Sequence, residues 1–425
     1  MKILLVSTSD RGGAAKACIR LHLGLLENGI DSKLLLLHKT DYLIPESYQY
    51  EIKLPKISIW KRLINKTKRI LKEIYFIPDT HEKNDKSYFL RNRPLEFEIF
   101  SFPFTNFDFS ENPLFKDADI INLHWVSEFF DYKQFPLINK PIVWTLHDMN
   151  PFTGGCHYSG DCKSYNDNCS NCPQLIGTVK PNYSEELLYY KLKHLNNYKN
   201  LAIVSPSEWL LNCSMNSKLF KYVQHNHIPY GLNKEIFKPR DRKFSKNIFG
   251  INPEKIVIMF TADGINNKRK GFEILLNAIK LVYGKEKICI LSIGNNNKLN
   301  DIGIEHIPIQ FIKDERFMSV AYSAADILIT PSLEDNLPLT VMESLMCGNP
   351  VIGFSIGGVK EMIEHQINGF IADDVSPLSL SKQIQKFINF PNFFDRNNIR
   401  SNTIKKYDSN ICTKKYLELY NNICK

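Results

Sequence analysis

Two carboxylates stand eight positions apart in the segment PSLEDNLPLTVMESLMCGNPVIGFSIGG, Asp335 just before a predicted helix and Glu343 in its second turn. A short apolar run ends at Ser332, and an acidic turn with Glu334 follows. Pro338 opens the helix where its missing N–H costs nothing, and Gly348 and Pro350 stop it. A helix start that faces a cleft offers free N–H groups and a positive dipole end to an anion. Carboxylates beside it can accept hydrogen bonds from paired hydroxyls of a sugar. The matching positive charge lies after the run KIVIMFTA, where Arg269 and Lys270 precede a glycine and a second helix. Gly12 and Gly13 follow the first apolar run and let backbone approach a ligand closely. They are not a dinucleotide fingerprint, because the third glycine is absent. His147 ends the run WTLHD with Asp148 next to it, placed to orient the ring; His124, ending NLHW, ranks below it as a cleft residue. Any one acidic turn or basic turn is more often a cap or solvated surface. The assembly of strand, turn, capped helix and glycines reverses that weighting for the 330–358 segment.

A different chemistry is concentrated in GGCHYSGDCKSYNDNCSNCPQL, which places Cys156, Cys162, Cys169 and Cys172 in one loop with His157 alongside. The final CxxC has chelate spacing, and four thiolates suit tetrahedral zinc. In a reducing compartment a metal is favoured over two disulfides, with free or redox-active thiols as the remaining readings. A site filled by four thiolates is structural, since no position stays open for water. The other six cysteines are scattered and read as small buried hydrophobes.

The elements that must hold these residues follow from apolar periodicity. KILLVS, a helical AAKACIRLHLGLLENG and DSKLLLLH form a βαβ unit, with ADIINLHW, KPIVWTLHD and NLAIVSPS as later strands. After residue 232 the alternation restarts: KIVIMFTA, FEILLNAIKLV, KICILSIG, ERFMSVAYSAA, DILITPS, LTVMESLMCG and PVIGFS. Two such sets predict an α/β protein of two Rossmann-like, doubly wound domains facing each other across a cleft. Residues 1–232 form the first domain, with the cysteine-rich insertion at 154–175, and residues 233–407 the second. NHIPYGLNKEIFKPRDRKF reads as the linker, and a terminal helix over about 408–425 packs back on the first domain. Ligands in open α/β sheets collect beyond the carboxyl ends of strands, where the candidate residues lie.

The whole chain has 425 residues, 43% hydrophobic and 23% charged, the composition of a soluble globular protein of two or three domains. The opening apolar run is too short for a secretory signal and no window approaches a membrane span, so the expected location is the cytoplasm. A formal charge of +9 suits an anionic ligand or surface, without choosing among nucleotide diphosphates, phospholipids and nucleic acid.

The segment around Asp335 and Glu343 resembles the EX7E region of the family 4 glycosyltransferases, retaining enzymes of the GT-B fold. The resemblance implies that Glu343 holds the ribose of a nucleotide sugar and that Asp335 contacts hydroxyls of the donor sugar. Asp335 is one methylene shorter than the usual glutamate, and Glu334 can substitute in part. Lys270 matches the lysine of the family's lysine–glycine step. The family's arginine directly after the strand is missing from ADGINN, and Arg269 is the replacement. Those cations would stabilise the departing nucleoside diphosphate, with no catalytic cofactor required. The glycine pair Gly12–Gly13 would face phosphate and acceptor, and His147 would contact the donor sugar near its 6-position. No residue presents itself as an inverting general base, which fits a front-face retaining mechanism.

The cysteine loop after TLHDM resembles a subgroup that builds capsular, exopolysaccharide or lipopolysaccharide chains. The implied partners are a UDP- or GDP-linked donor and a lipid-linked or oligosaccharide acceptor, with no nucleic acid. ISIWKRLINKTKRILKEIYF sets apolar residues such as Trp60, Leu63 and Leu71 against Lys61, Arg62, Lys66, Lys68 and Arg69. It reads either as an interfacial helix on an anionic inner leaflet or as an ordinary amphipathic helix on the first sheet. The rival readings are another GT-B enzyme such as a nucleotide-sugar epimerase, and a zinc-bearing nucleic-acid-binding protein. Asp161 and Asp167 in the loop weigh against the second.

Overall fold

Apolar runs of four to eight residues with no polar alternation suit strands buried on both faces, as parallel sheets require. The computed structural model describes residues 1–51, 86–195, 198–262, 267–294 and 303–424. In the first domain these runs become β1 (Lys2–Ser9), β2 (Asp31–His38), β3 (Ser47–Gln49), β4 (Ile120–Leu123), β5 (Ile142–Thr145), β6 (Leu201–Ser205) and β7 (Gln224–His227). They form one sheet of order β3-β2-β1-β4-β5-β6-β7, with every pair parallel. Helices α1 (Gly13–Glu27), α2 (Tyr183–Leu195) and α3 (Glu208–Asn216) belong to this domain.

The second domain repeats the design with β8 (Ile256–Ala262), β9 (Ile288–Gly294), β10 (Glu305–Ile309), β11 (Ile327–Thr330), β12 (Val351–Phe354) and β13 (Gly369–Ala372). Its order is β10-β9-β8-β11-β12-β13, again parallel throughout. Helices α4 (Phe272–Lys280), α5 (Glu315–Ala324), α6 (Leu339–Met346) and α7 (Arg396–Tyr407) follow its strands. The expected pair of facing Rossmann-like domains is the observed fold.

Four short edge strands escaped the periodicity. β3 and β7 are too polar to show an apolar run, and β10 carries Pro308, which an edge tolerates and a central strand does not. The last helix, α8 (Ser409–Ile423), crosses back to the first sheet. Asn122 donates to the Tyr420 hydroxyl (2.7 Å), and Tyr416 meets Thr145 (3.1 Å).

Each sheet has one switch point, where the chain reverses its direction of winding: between β1 and β4 in the first, between β8 and β11 in the second. Crevices open at such points. Gly12–Gly13 and His124 follow β1 and β4, while Arg269–Lys270 and Asp335 follow β8 and β11. The basic amphipathic segment within 52–85 lies outside the described residues, and none of the described helices is long and apolar enough to cross a membrane.

Candidate functional site

The second-sheet side of the site starts from a turn that only glycine permits. Gly271 adopts φ +64° between the Lys268–Lys270 turn and α4, and a Cβ there would lie 1.9 Å from the Pro331 carbonyl oxygen. That close approach brings the cations beside the loop after β11. Lys270 Nζ lies 2.6 Å from Asp335 Oδ2, and Arg269 Nη1 lies 3.6 Å from the same atom. Burial opposes the charge of Asp335, and Lys270 with Arg269 overcome it, holding the pKa below the ordinary carboxylate value. Glu334 instead turns to the first domain, accepting from the Gly160 N–H (2.9 Å), and burial raises its pKa. Pro338 is the N-cap of α6, one position earlier than its expected place inside the first turn.

Glu343 is buried at the domain junction with both oxygens engaged. Oε1 accepts from Arg20 Nη2 of α1 (2.7 Å), and Oε2 accepts from the Tyr322 hydroxyl (2.9 Å). Arg20 also binds Glu315 (2.7 Å) and lies over the Phe237 ring (5.2 Å), while its Nη1 has no partner. The two carboxylates are held differently: Asp335 by cations of its own domain, Glu343 by Arg20 of the opposite domain and Tyr322 of its own. Gly12 caps α1 with open space on its Cβ side, and a Cβ on Gly13 would meet Leu339 of α6 at 3.9 Å, so Gly13 faces the start of α6.

On the first-sheet side His147 is buried with both ring nitrogens committed, Nδ1 to the Tyr230 hydroxyl (2.8 Å) and Nε2 to His124 Nδ1 (3.0 Å). Burial pushes its pKa down to about 4. His124 is lowered as well, by burial and by its neighbour, and its Nε2 is buried without a partner. Asp148 does not orient His147. Its oxygens accept from His157 (2.6 Å), the Trp125 indole (2.8 Å) and the Asn150 N–H (2.9 Å). Asn336 joins the two walls, donating to the His147 carbonyl (3.1 Å) and accepting from Ser207 (2.6 Å). Glu361 adds a second link by capping α3 through the Glu208 and Trp209 N–H groups (2.8 and 2.6 Å).

No three His, Cys, Asp or Glu groups among the described residues could hold a metal, and Cys156, Cys162, Cys169 and Cys172 are all free thiols. Cys169 packs in the aromatic core and its sulfur accepts from the Gly154 N–H (3.2 Å), whereas Cys172 joins a separate cluster with Phe100 and Leu187. Burial raises the thiol pKa of Cys156 and Cys172 and pushes that of Cys169 up to about 12.

Several residues here gave weak sequence signals. Arg20 sits within the apolar stripe of α1 between Ala17 and Leu21, and a charge in a buried stripe is a legible anomaly. Lys191 shows the same anomaly on α2. It is fully buried, its pKa lowered by burial to about 7, and it braces the turn after Asp148 through the Asn150 carbonyl (2.5 Å). Tyr230, Glu98 and Tyr158 had no local signal.

Comparison with known proteins agrees with this geometry. Residues 255–389 match the family described as Glycosyl transferases group 1, which covers the β8–β13 sheet and both cations. An uncharacterized glycosyltransferase of Methanocaldococcus jannaschii is 20% identical over 319 residues, 71% of this chain and 75% of that one. D-inositol 3-phosphate glycosyltransferase of Segniliparus rotundus is 24% identical over 177 residues, but the match spans only 39% of each. Among solved structures, sucrose-phosphate synthase from Thermosynechococcus elongatus superposes with TM-score 0.64 at 16% identity, covering 100% of this chain and 99% of the other. HepE of Anabaena, solved with UDP and glucose, gives 0.64 at 14% identity over 99% and 100%. WaaG, involved in lipopolysaccharide biosynthesis, gives 0.60 at 13% identity over 98% and 99%. The fold is GT-B, and the second domain contains the stretch that matches the group 1 glycosyl transferases.

Proposed function

We propose that this chain is a retaining glycosyltransferase that moves a sugar from a UDP- or GDP-linked donor to a growing, lipid-linked polysaccharide. The observation that supports this most is the cluster of Arg269, Lys270 and Asp335 at the switch point of the group 1 domain, next to the start of α6. Paired cations at that place suit the two negative charges of a leaving diphosphate, the role a divalent ion fills in other enzymes.

In this reading Glu343 takes the ribose hydroxyls and Asp335 a hydroxyl of the transferred sugar. The acceptor hydroxyl attacks the anomeric carbon on the face the diphosphate leaves. The carbon–oxygen bond to phosphate breaks, the new glycosidic bond forms, and the acceptor proton passes to the leaving phosphate oxygen. The enzyme's share is positioning and electrostatic stabilisation. His147 has no free ring nitrogen, so its part is to fix the wall that Asn336 reads through the His147 carbonyl. HepE was solved with UDP and WaaG acts in lipopolysaccharide biosynthesis, which favours UDP and a glycolipid acceptor. A peripheral membrane contact through the 57–74 segment belongs to the same proposal.

The test is incubation with a panel of nucleotide sugars. One of them should release UDP or GDP slowly without acceptor, and Lys270→Ala should suppress that release by about 10²-fold. A chain that neither binds nor hydrolyses any UDP- or GDP-sugar would overturn the reading.

A further inference from the structure

We infer that Tyr158, presented by the cysteine-rich insertion, is a positioning residue that holds the Arg269 guanidinium where the diphosphate arrives; this rests on Arg269 being a phosphate-binding cation. The Arg269 guanidinium carbon lies 3.9 Å from the centre of the Tyr158 ring, the shortest of the cation–ring distances in the described residues. A planar cation stacked on a ring keeps its edges free for hydrogen bonds. Those edges are used here: Nη1 donates to the Glu334 carbonyl (2.5 Å) and Nη2 to Glu98 Oε1 (2.8 Å). Glu98, which also accepts from Asn267, is a carboxylate from the first domain and marks the edge at which an anion sits. A diphosphate oxygen reaching that edge meets a guanidinium already oriented, and displaces a singly charged carboxylate.

The insertion is tied down on both sides of Tyr158. Gln174 donates to the Tyr158 carbonyl (2.7 Å) and is itself held by Arg93 (2.7 Å), and the Gly160 N–H binds the Glu334 carboxylate (2.9 Å). One short turn of the loop thus grips Arg269 by its face and Glu334 by its side chain.

The experiment is calorimetric titration of the full chain with UDP and GDP, continued with whichever the wild type binds. Tyr158→Phe keeps the ring and should bind within about twofold of wild type. Tyr158→Leu keeps the bulk without the π face and should bind about tenfold more weakly, a difference of ~1.4 kcal/mol. In an Arg269→Met background the same Tyr158→Leu change should have no further effect. General damage to the loop would lower affinity equally in both backgrounds, and that result, or a Phe variant as weak as Leu, overturns the proposal. If Arg269→Met and Lys270→Ala both bind nucleotide normally, the phosphate-site reading fails instead. A wild type that binds neither nucleotide overturns both.

Discussion

Burial acts on both walls of the cleft and has opposite outcomes. Around His147 it wins: the imidazoles of His147 and His124 are driven below their ordinary value and stay neutral, with Tyr230 and each other as partners. Around Asp335 it loses, because Lys270 and Arg269 stand beside the carboxylate and keep it ionised. Desolvation alone always favours the neutral form, so the fixed countercharge decides. The second-sheet wall therefore keeps charge at the cleft, while the first-sheet wall around His147 is a neutral, internally hydrogen-bonded surface. A transfer between a diphosphate donor and a hydroxyl acceptor calls for such a division.

The most severe way to break the contrast is to remove the charge that links the walls. Glu343→Ala leaves Arg20 with Glu315 as its sole carboxylate partner; breaking a buried pair should cost about 3–5 kcal/mol. A lower urea midpoint with an unchanged slope would show it, and midpoints equal to wild type would refute it. Gly271→Ala comes next, since its Cβ cannot coexist with the Pro331 carbonyl at 1.9 Å. The Lys268–Gly271 turn must then open, and nucleotide-induced protection of this region in hydrogen exchange should disappear while β8 stays protected.

A pH titration sharpens the other wall. The folded pKa of His147, about 4, lies below its ordinary value of 6.5, so the neutral form is the one folding favours. The corresponding stability is complete above pH 6.5 and is lost as pH falls from there towards 4. Melting temperature should drop across that window, and His147→Gln should flatten the drop; an unchanged pH slope would contradict neutral burial. The smallest effect is expected from Cys162→Ser, on a half-buried free thiol. A change below about 0.5 kcal/mol is predicted for the metal-free protein, and a larger loss would refute it; elemental analysis of purified protein tests the structural zinc. A stoichiometric, chelator-sensitive zinc would show that the loop rearranges around metal.

Much of the architecture was legible because it is written in local pattern. Central strands such as Ile256–Ala262 and Ile142–Thr145 are continuous apolar runs, and the candidate residues after them lie at the switch points. The edge strand Gln224–His227 was not legible, because a strand paired on one side needs no apolar run. The cysteine spacing was legible only in part, for a related reason. Chelate spacing says that four thiols can meet, and only the tertiary structure decides that Cys169 packs in the aromatic core and Cys172 beside Phe100 and Leu187.

The chain by itself determined its two α/β halves and the residue types at their strand ends, since both depend on neighbours a few positions away. Only the tertiary structure decided who answers whom. Arg20 meets Glu343 across 323 positions, Tyr158 meets Arg269, and Asp148 turns from His147 to His157. Hydrogen bonds and ion pairs fade within a few ångströms, so partners are chosen when the two sheets pack together, and sequence separation carries no record of that choice.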